Sequence, residues 1–185
     1  FSSDGKYLVF IRNQDGQESL WRMDVISGEE QPIELDSVYT NLDHLCATPE
    51  GIALIASGGR TPSRVISFPL NRSEIRIWKR SSTEELPVEA YSAPQAITWP
   101  GLDGASAYGL FFAPESQAFA GIGKPPLVVR VHGGPTSQVP AGFNPGAEFF
   151  TSRGYAVLEV NYRGSTGYGR EYRNMLRGNW GIYDV

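Results

Sequence analysis

Two hydrophobic grammars divide the chain. Up to about residue 80, short apolar, β-prone runs alternate with polar turns. "YLVFIR" (7–12) follows the turn "SSDG". "NQDGQES" (13–19) carries an Asp-Gly signal, and "LWRMDV" (20–25) completes a predicted β-hairpin. "SGEEQ" (27–31) is a further turn and "PIEL" (32–35) a short strand. The pattern then recurs. "TPEGIALIAS" (48–57) repeats the first turn and strand, with Gly51 falling 46 residues after Gly5. "RVISFPL" (64–70) answers "LWRMDV", and "EIRIWKR" (74–80) adds another strand. A period in the mid-forties is the size of a four-stranded propeller blade, and about two such units fit here. A plain antiparallel meander is the alternative.

The pattern changes after "SSTEELPVEAYSAPQ" (81–95), whose Ser, Glu and Pro content reads as a linker. "AITWPGLDGASAYGLFFAP" (96–114) predicts a hairpin, and 115–126 a Gly-rich loop. "LVVRV" (127–131) predicts a buried parallel strand, "GAEFFTSRG" (146–154) a helix stopped by Gly154, and "YAVLEVNY" (155–162) the next strand. "RGSTGYG" (163–169) is a loop, and a helix is expected to open at Arg170. Strand, loop, helix, strand, loop, helix is an α/β alternation.

Composition narrows the partners. Among 185 residues the net charge is -4 and no long basic run occurs, so neither nucleic acid nor an anionic membrane is an expected partner. No stretch approaches the roughly 20 apolar residues of a membrane span. Cys46 is the single cysteine and is read as a half-buried structural residue rather than a thiol activated by His44. Two distant histidines and one cysteine make no ligand set, so no metal or other cofactor is expected. The paired glutamates at 29–30 and 84–85 read as surface charge. The chain opens on Phe1 inside a strand-like pattern, and its native N-terminus is expected to lie further upstream. No segment reports targeting; a cytoplasmic setting is the expectation.

The chemistry points to one loop. "HGGP" (132–135) sits at the carboxyl end of a predicted parallel strand, where open α/β sheets bind ligands. Gly133 and Gly134 permit left-handed backbone angles and close approach, and Pro135 stiffens the exit. A loop of this kind supplies main-chain N–H donors to a tetrahedral oxyanion in α/β-hydrolases. A tight turn with a hydrogen-bonded His132 is the alternative.

"PPLVVRVHGGPTSQ" (125–138) and "FFTSRGYAVLEVNYRGSTGYGREYRNMLRGNWGIYDV" (149–185) together resemble the prolyl oligopeptidase family of serine peptidases, nearest its acylaminoacyl-peptidase and dipeptidyl-peptidase branch. The resemblance is carried mostly by 125–185 and thins toward the N-terminus. It implies a β-propeller part of all-β blades (1–80), a linker (81–95), and an incomplete α/β-hydrolase domain (96–185). It implies short peptide substrates and leaves a homo-oligomer of the parent open. Gly134 matches an oxyanion-donating amide of the family. His132 stands where dipeptidyl peptidases and prolyl oligopeptidases place a tyrosine, so either its imidazole or the backbone alone donates; the backbone is favoured. Arg163, in "NYRGSTGYG" (161–169), is a candidate to orient the neighbouring loop or to reach a substrate carbonyl, with an ion pair that holds the loop as the favoured role.

No nucleophile accompanies this loop. A serine on this fold sits in a G-x-S-x-G elbow. Ser106 has Gly104 before it but Tyr108 after it, and Ser165 has Arg163 before it. The family order of Ser, acid, His places all three beyond residue 185. Two other parents are compatible: an esterase or related acyl hydrolase, and a non-catalytic propeller-containing binding module. The 185-residue chain is expected to show no labelling by a fluorophosphonate probe; stoichiometric labelling on a gel would reveal a nucleophile within it.

Overall fold

The computed structural model describes residues 1–71, 74–82, 87–116, 118, 120–134 and 136–184. Its strands form three sheets. The first is β1 (Tyr7–Gln14), β2 (Gln17–Asp24) and β3 (Glu30–Ile33), paired in that order. Asp15 and Gly16, the two residues between β1 and β2, have φ of 54° and 75°. Both positive angles make the type I′ turn that the Asp-Gly pair signals.

The second sheet runs β4 (Asn41–Thr48), β5 (Gly51–Gly58), β6 (Thr61–Phe68) and β7 (Arg76–Arg80), all antiparallel neighbours. The 46-residue repeat therefore equates β1, β2 and β3 with β5, β6 and β7. β4 stands ahead of the repeat and escaped the sequence reading. The reason is a β-bulge: between Asp43 and Cys46 the register slips, with His44 at φ 52°. The extra residue shifts the inward face from Leu42 to Leu45 and breaks the period-two signal. It also turns Cys46 outward, so the thiol is exposed rather than half-buried. His44 pairs with the Asp43 carboxylate instead.

The two sheets share one core. Leu20 of β2 meets Leu42, Ile52, Leu54, Ile66 and Phe68 of the second sheet. The Glu18 carboxylate crosses between them to accept the Leu42 amide at 2.6 Å, and burial raises its pKa. Two packed antiparallel meanders at a blade-sized repeat make this a β-propeller part.

A 3-10 turn (Val88–Ala90) precedes the third sheet, whose order is β10 (Leu127–Val131), β11 (Ala156–Asn161), β9 (Ser106–Phe112) and β8 (Pro94–Pro100). β8 starts within the segment read as linker. β10 and β11 are parallel; β11–β9 and β9–β8 are antiparallel. Helix α1 (Pro145–Thr151) joins β10 to β11 and packs on Leu110, Phe112 and Val157. This is the α/β-hydrolase part. β10 is parallel as expected but not buried on both faces. Among the described residues it pairs with β11 alone, and Leu127, Val129 and Val131 are 51%, 55% and 60% exposed. Helix α2 (Gly169–Asn174) is also shorter than the sequence suggests. Gly178 and Gly181, at φ 75° and 72°, take the chain into turns instead.

One strand face organises this part. Residues 157, 159 and 161 of β11 point to the same side. Val157 joins the core under α1. The Glu159 carboxylate accepts from Asn144 Nδ2 at 2.9 Å, while Asn144 Oδ1 caps α1 by accepting the Ala147 amide. Arg130 lies 2.9 Å from Glu159, an ion pair whose N–H directions miss a hydrogen bond.

The propeller part touches the hydrolase part through the β1–β2 turn. The Asp15 amide donates to Gly167 O, the Ala141 amide to Gly16 O, and the Thr40 hydroxyl to Ala141 O. The α1 carboxylate of Glu148 accepts the Ser92 amide, and burial pushes its pKa up to about 7 despite that bond. A carboxyl raised on folding contributes stability that is full below its unfolded value near 4.5 and is lost as pH rises through about 7. Glu148→Gln should therefore flatten the pH dependence of the urea midpoint between those limits, gaining on wild type toward pH 8. Gly16→Ala is expected to destabilise by about 1–2 kcal/mol from its positive φ alone. The added Cβ also meets Tyr168 Oη at 2.9 Å, and the same urea titration reads the total loss.

Candidate functional site

After the end of β10, residues 132–134 and 136–138 belong to no helix or strand, and Gly133, Gly134, Thr136 and Ser137 are exposed. Gly134 adopts φ 89°, and a Cβ at Gly133 or Gly134 would meet nothing within 4 Å. Both glycines are exposed, and their amides donate to no described residue. Pro135 lies outside the described residues.

The His132 ring is fully engaged. Nδ1 lies 3.1 Å from Gly133 O and Nε2 2.8 Å from Ser165 Oγ. A carbonyl only accepts, so Nδ1 carries the proton and Nε2 accepts from the Ser165 hydroxyl. The ring stacks on Tyr162 at 4.6 Å, and the Tyr162 hydroxyl donates to His132 O at 3.1 Å. Burial raises the Tyr162 pKa, which keeps that donor protonated. Ser165 and His132 thus form a serine–histidine pair that sequence spacing did not suggest. It is not a nucleophile pair: Ser165 is 0% exposed, and His132 Nδ1 faces a carbonyl rather than the carboxylate a triad needs.

The far end of the loop is held from β11. Asn161, 0% exposed, accepts the Val139 amide at 2.8 Å and donates to Val139 O at 3.1 Å. Its Nδ2 also donates to the Tyr168 hydroxyl at 2.9 Å. Tyr168 stacks on Tyr108 at 4.4 Å, and burial raises its pKa. Midway, the Thr166 amide donates to Ser137 O. Sequence reading missed Asn161 and Ser165 as loop anchors. For Asn161 the available signal was a second polar residue, after Glu159, on the inward face of a strand; Ser165 lies in the loop that follows.

On the opposite face of the sheet, a cleft of about 650 Å³ is lined by Trp99, Val131, Val160, Tyr162, Arg163 and Tyr183, among others. Arg163 forms its wall. The guanidinium pairs with Asp103, donates from Nε to Tyr183 O at 3.2 Å, and lies 4.4 Å over the Tyr183 ring. The Ala105 amide and then Arg163 lower the Asp103 pKa. The structure brings His132, Gly133 and Gly134 together, but it commits Arg163 to this separate ion pair. Among the described residues no group of three or more His, Cys, Asp or Glu is placed to hold a metal. No described helix is long and apolar enough to cross a membrane.

The prolyl oligopeptidase family profile matches residues 141–185. The uncharacterized peptidase YuxL of Bacillus subtilis is 26% identical over 184 residues, covering 100% of this chain and 27% of that protein. A Mycobacterium tuberculosis puromycin-hydrolyzing peptidase superposes with a TM-score of 0.87 at 31% identity, over 99% of this chain and 28% of its own. Pyrococcus horikoshii acylaminoacyl peptidase shares the fold, with a TM-score of 0.75 at 20% identity, over 97% of this chain and 27% of its own. The chain thus spans about 27% of the length of these proteins. Residues 141–185 thus match the prolyl oligopeptidase family, and the chain as a whole is similar in sequence and fold to a segment of peptidases of that kind.

Proposed function

We propose that this chain carries the oxyanion-binding loop of a serine peptidase that hydrolyses short peptides through an acyl-enzyme. The observation that carries the reading is the exposed pair Gly133 and Gly134 after a parallel strand, whose amides donate to no described residue. Such donors are preorganised for a carbonyl oxygen as it gains negative charge, and one of them is worth roughly 2.7–4 kcal/mol in the transition state. Donation belongs to the backbone, Gly134 foremost, because both His132 nitrogens already have partners. Arg163 shapes the cleft wall through Asp103 and Tyr183 rather than reaching substrate. The nucleophile, base and acid belong to other parts of the whole protein. The peptidases among the named relatives support amide rather than ester chemistry, which the loop alone does not distinguish.

The full-length protein is the object to test, with aminoacyl anilides, puromycin and simple aryl esters as substrates. Turnover of the anilides is expected; ester turnover without any amide turnover would overturn the peptidase reading. Gly134→Ala, forced away from φ 89°, should lower kcat by roughly 10²-fold through displacement of the loop.

A further inference from the structure

We propose that Asn161 is a positioning residue for this loop: its buried carboxamide fixes the Val139 main chain and so sets where the Gly133–Gly134 amides point. The inference rests on the reading of 132–138 as the oxyanion loop. Three observations carry it. First, the carboxamide engages both main-chain groups of one residue, at 2.8 Å and 3.1 Å. That two-point grip fixes orientation as well as distance, whereas a single bond leaves the peptide free to swivel. Second, Asn161 is itself immobilised. It lies on β11 paired with Tyr108 of β9, its own carbonyl accepts the Tyr172 hydroxyl at 2.7 Å, and its Nδ2 reaches Tyr168. Third, the loop has few other restraints. Beyond Asn161, the described residues of 132–139 are held by Ser165 and Tyr162 at His132, by the Thr166 amide at Ser137 and by the packing of the Val139 side chain on the core under α1. The amides of the glycine pair between them donate to no described residue, so we take its direction to follow from those anchors.

The chemistry of the grip is specific to a carboxamide. One oxygen accepts the Val139 N–H while one nitrogen donates to Val139 O. Aspartate retains the acceptor and loses the donor; alanine loses both. A catalytic loop misplaced by about 1 Å loses on the order of 10²-fold in rate. Asn161 touches no reacting atom in this scheme, so the loss should follow charge development and not substrate affinity.

The test uses the full-length enzyme, with Asn161→Ala and Asn161→Asp, on whichever aminoacyl anilide the wild type cleaves. Asn161→Ala is expected to lower kcat by about 10²-fold with KM changed less than about threefold, and Asn161→Asp to fall between. The aldehyde made from the same aminoacyl group forms a tetrahedral adduct whose oxygen needs the loop; the matching alcohol forms none. The aldehyde should lose affinity in step with kcat while the alcohol keeps it. A folded variant with kcat near wild type, or equal losses for aldehyde and alcohol, would overturn the inference. Hydrogen exchange provides a readout independent of turnover. Peptides covering 132–140 should exchange faster in Asn161→Ala, with 127–131 unchanged; unaltered protection at 132–140 would overturn it as well. A wild type inert toward every amide would instead overturn the peptidase reading, leaving exchange to judge the grip alone.

Discussion

A buried carboxamide must find partners for its oxygen and its nitrogen, and the Asn161 side chain finds both on one residue of the neighbouring loop. An unsatisfied polar group in that position costs about 1–3 kcal/mol. The chain segment after β10 therefore has little choice of path once β11 is in place. Glu159, two residues earlier on the same face, does for helix α1 what Asn161 does for the loop: it binds the capping residue Asn144. Val157, two residues earlier again, supplies the apolar floor. One strand thus fixes a helix start and a loop exit by alternating from apolar to charged to amide along a single face.

The loop owes its shape to the segment 161–168, and that segment also receives the propeller part. The Asp15 amide ends on Gly167 O, and Gly16 sits against the Tyr168 hydroxyl. A Cβ at Gly167 would strike the ends of Gln138 and Asn13, one from each part. The glycine is favoured there chiefly by its φ of 88°, and any side chain would also have to displace both of those ends. The same few residues therefore bear on the strand tips and on the contact between the two parts.

Much of this was legible in the residues. Asp15-Gly16 announced its turn because few pairs tolerate two positive φ angles, and "LVVRV" matched β10 to the residue. The 46-residue repeat was visible because each unit begins with a Gly turn before an apolar strand. What escaped had physical causes. The bulge at His44 hid β4 and misassigned Cys46, since one inserted residue inverts every later side chain. The pairing of His132 with Ser165 joins residues 33 apart, and no local pattern encodes that distance.

Hairpin tips are ordinarily where a chain accepts foreign sequence, because nothing depends on them. The Asp15–Gly16 tip is an exception, being tied through its own main chain to Gly167 and Ala141. The turn after β2 is the opposite case. Asp24 closes it locally by accepting the Ile26 and Ser27 amides, and Ile26 stands almost wholly in solvent. An epitope tag or fluorophore grafted onto this molecule belongs at the second turn, where it would leave the junction of the two parts undisturbed.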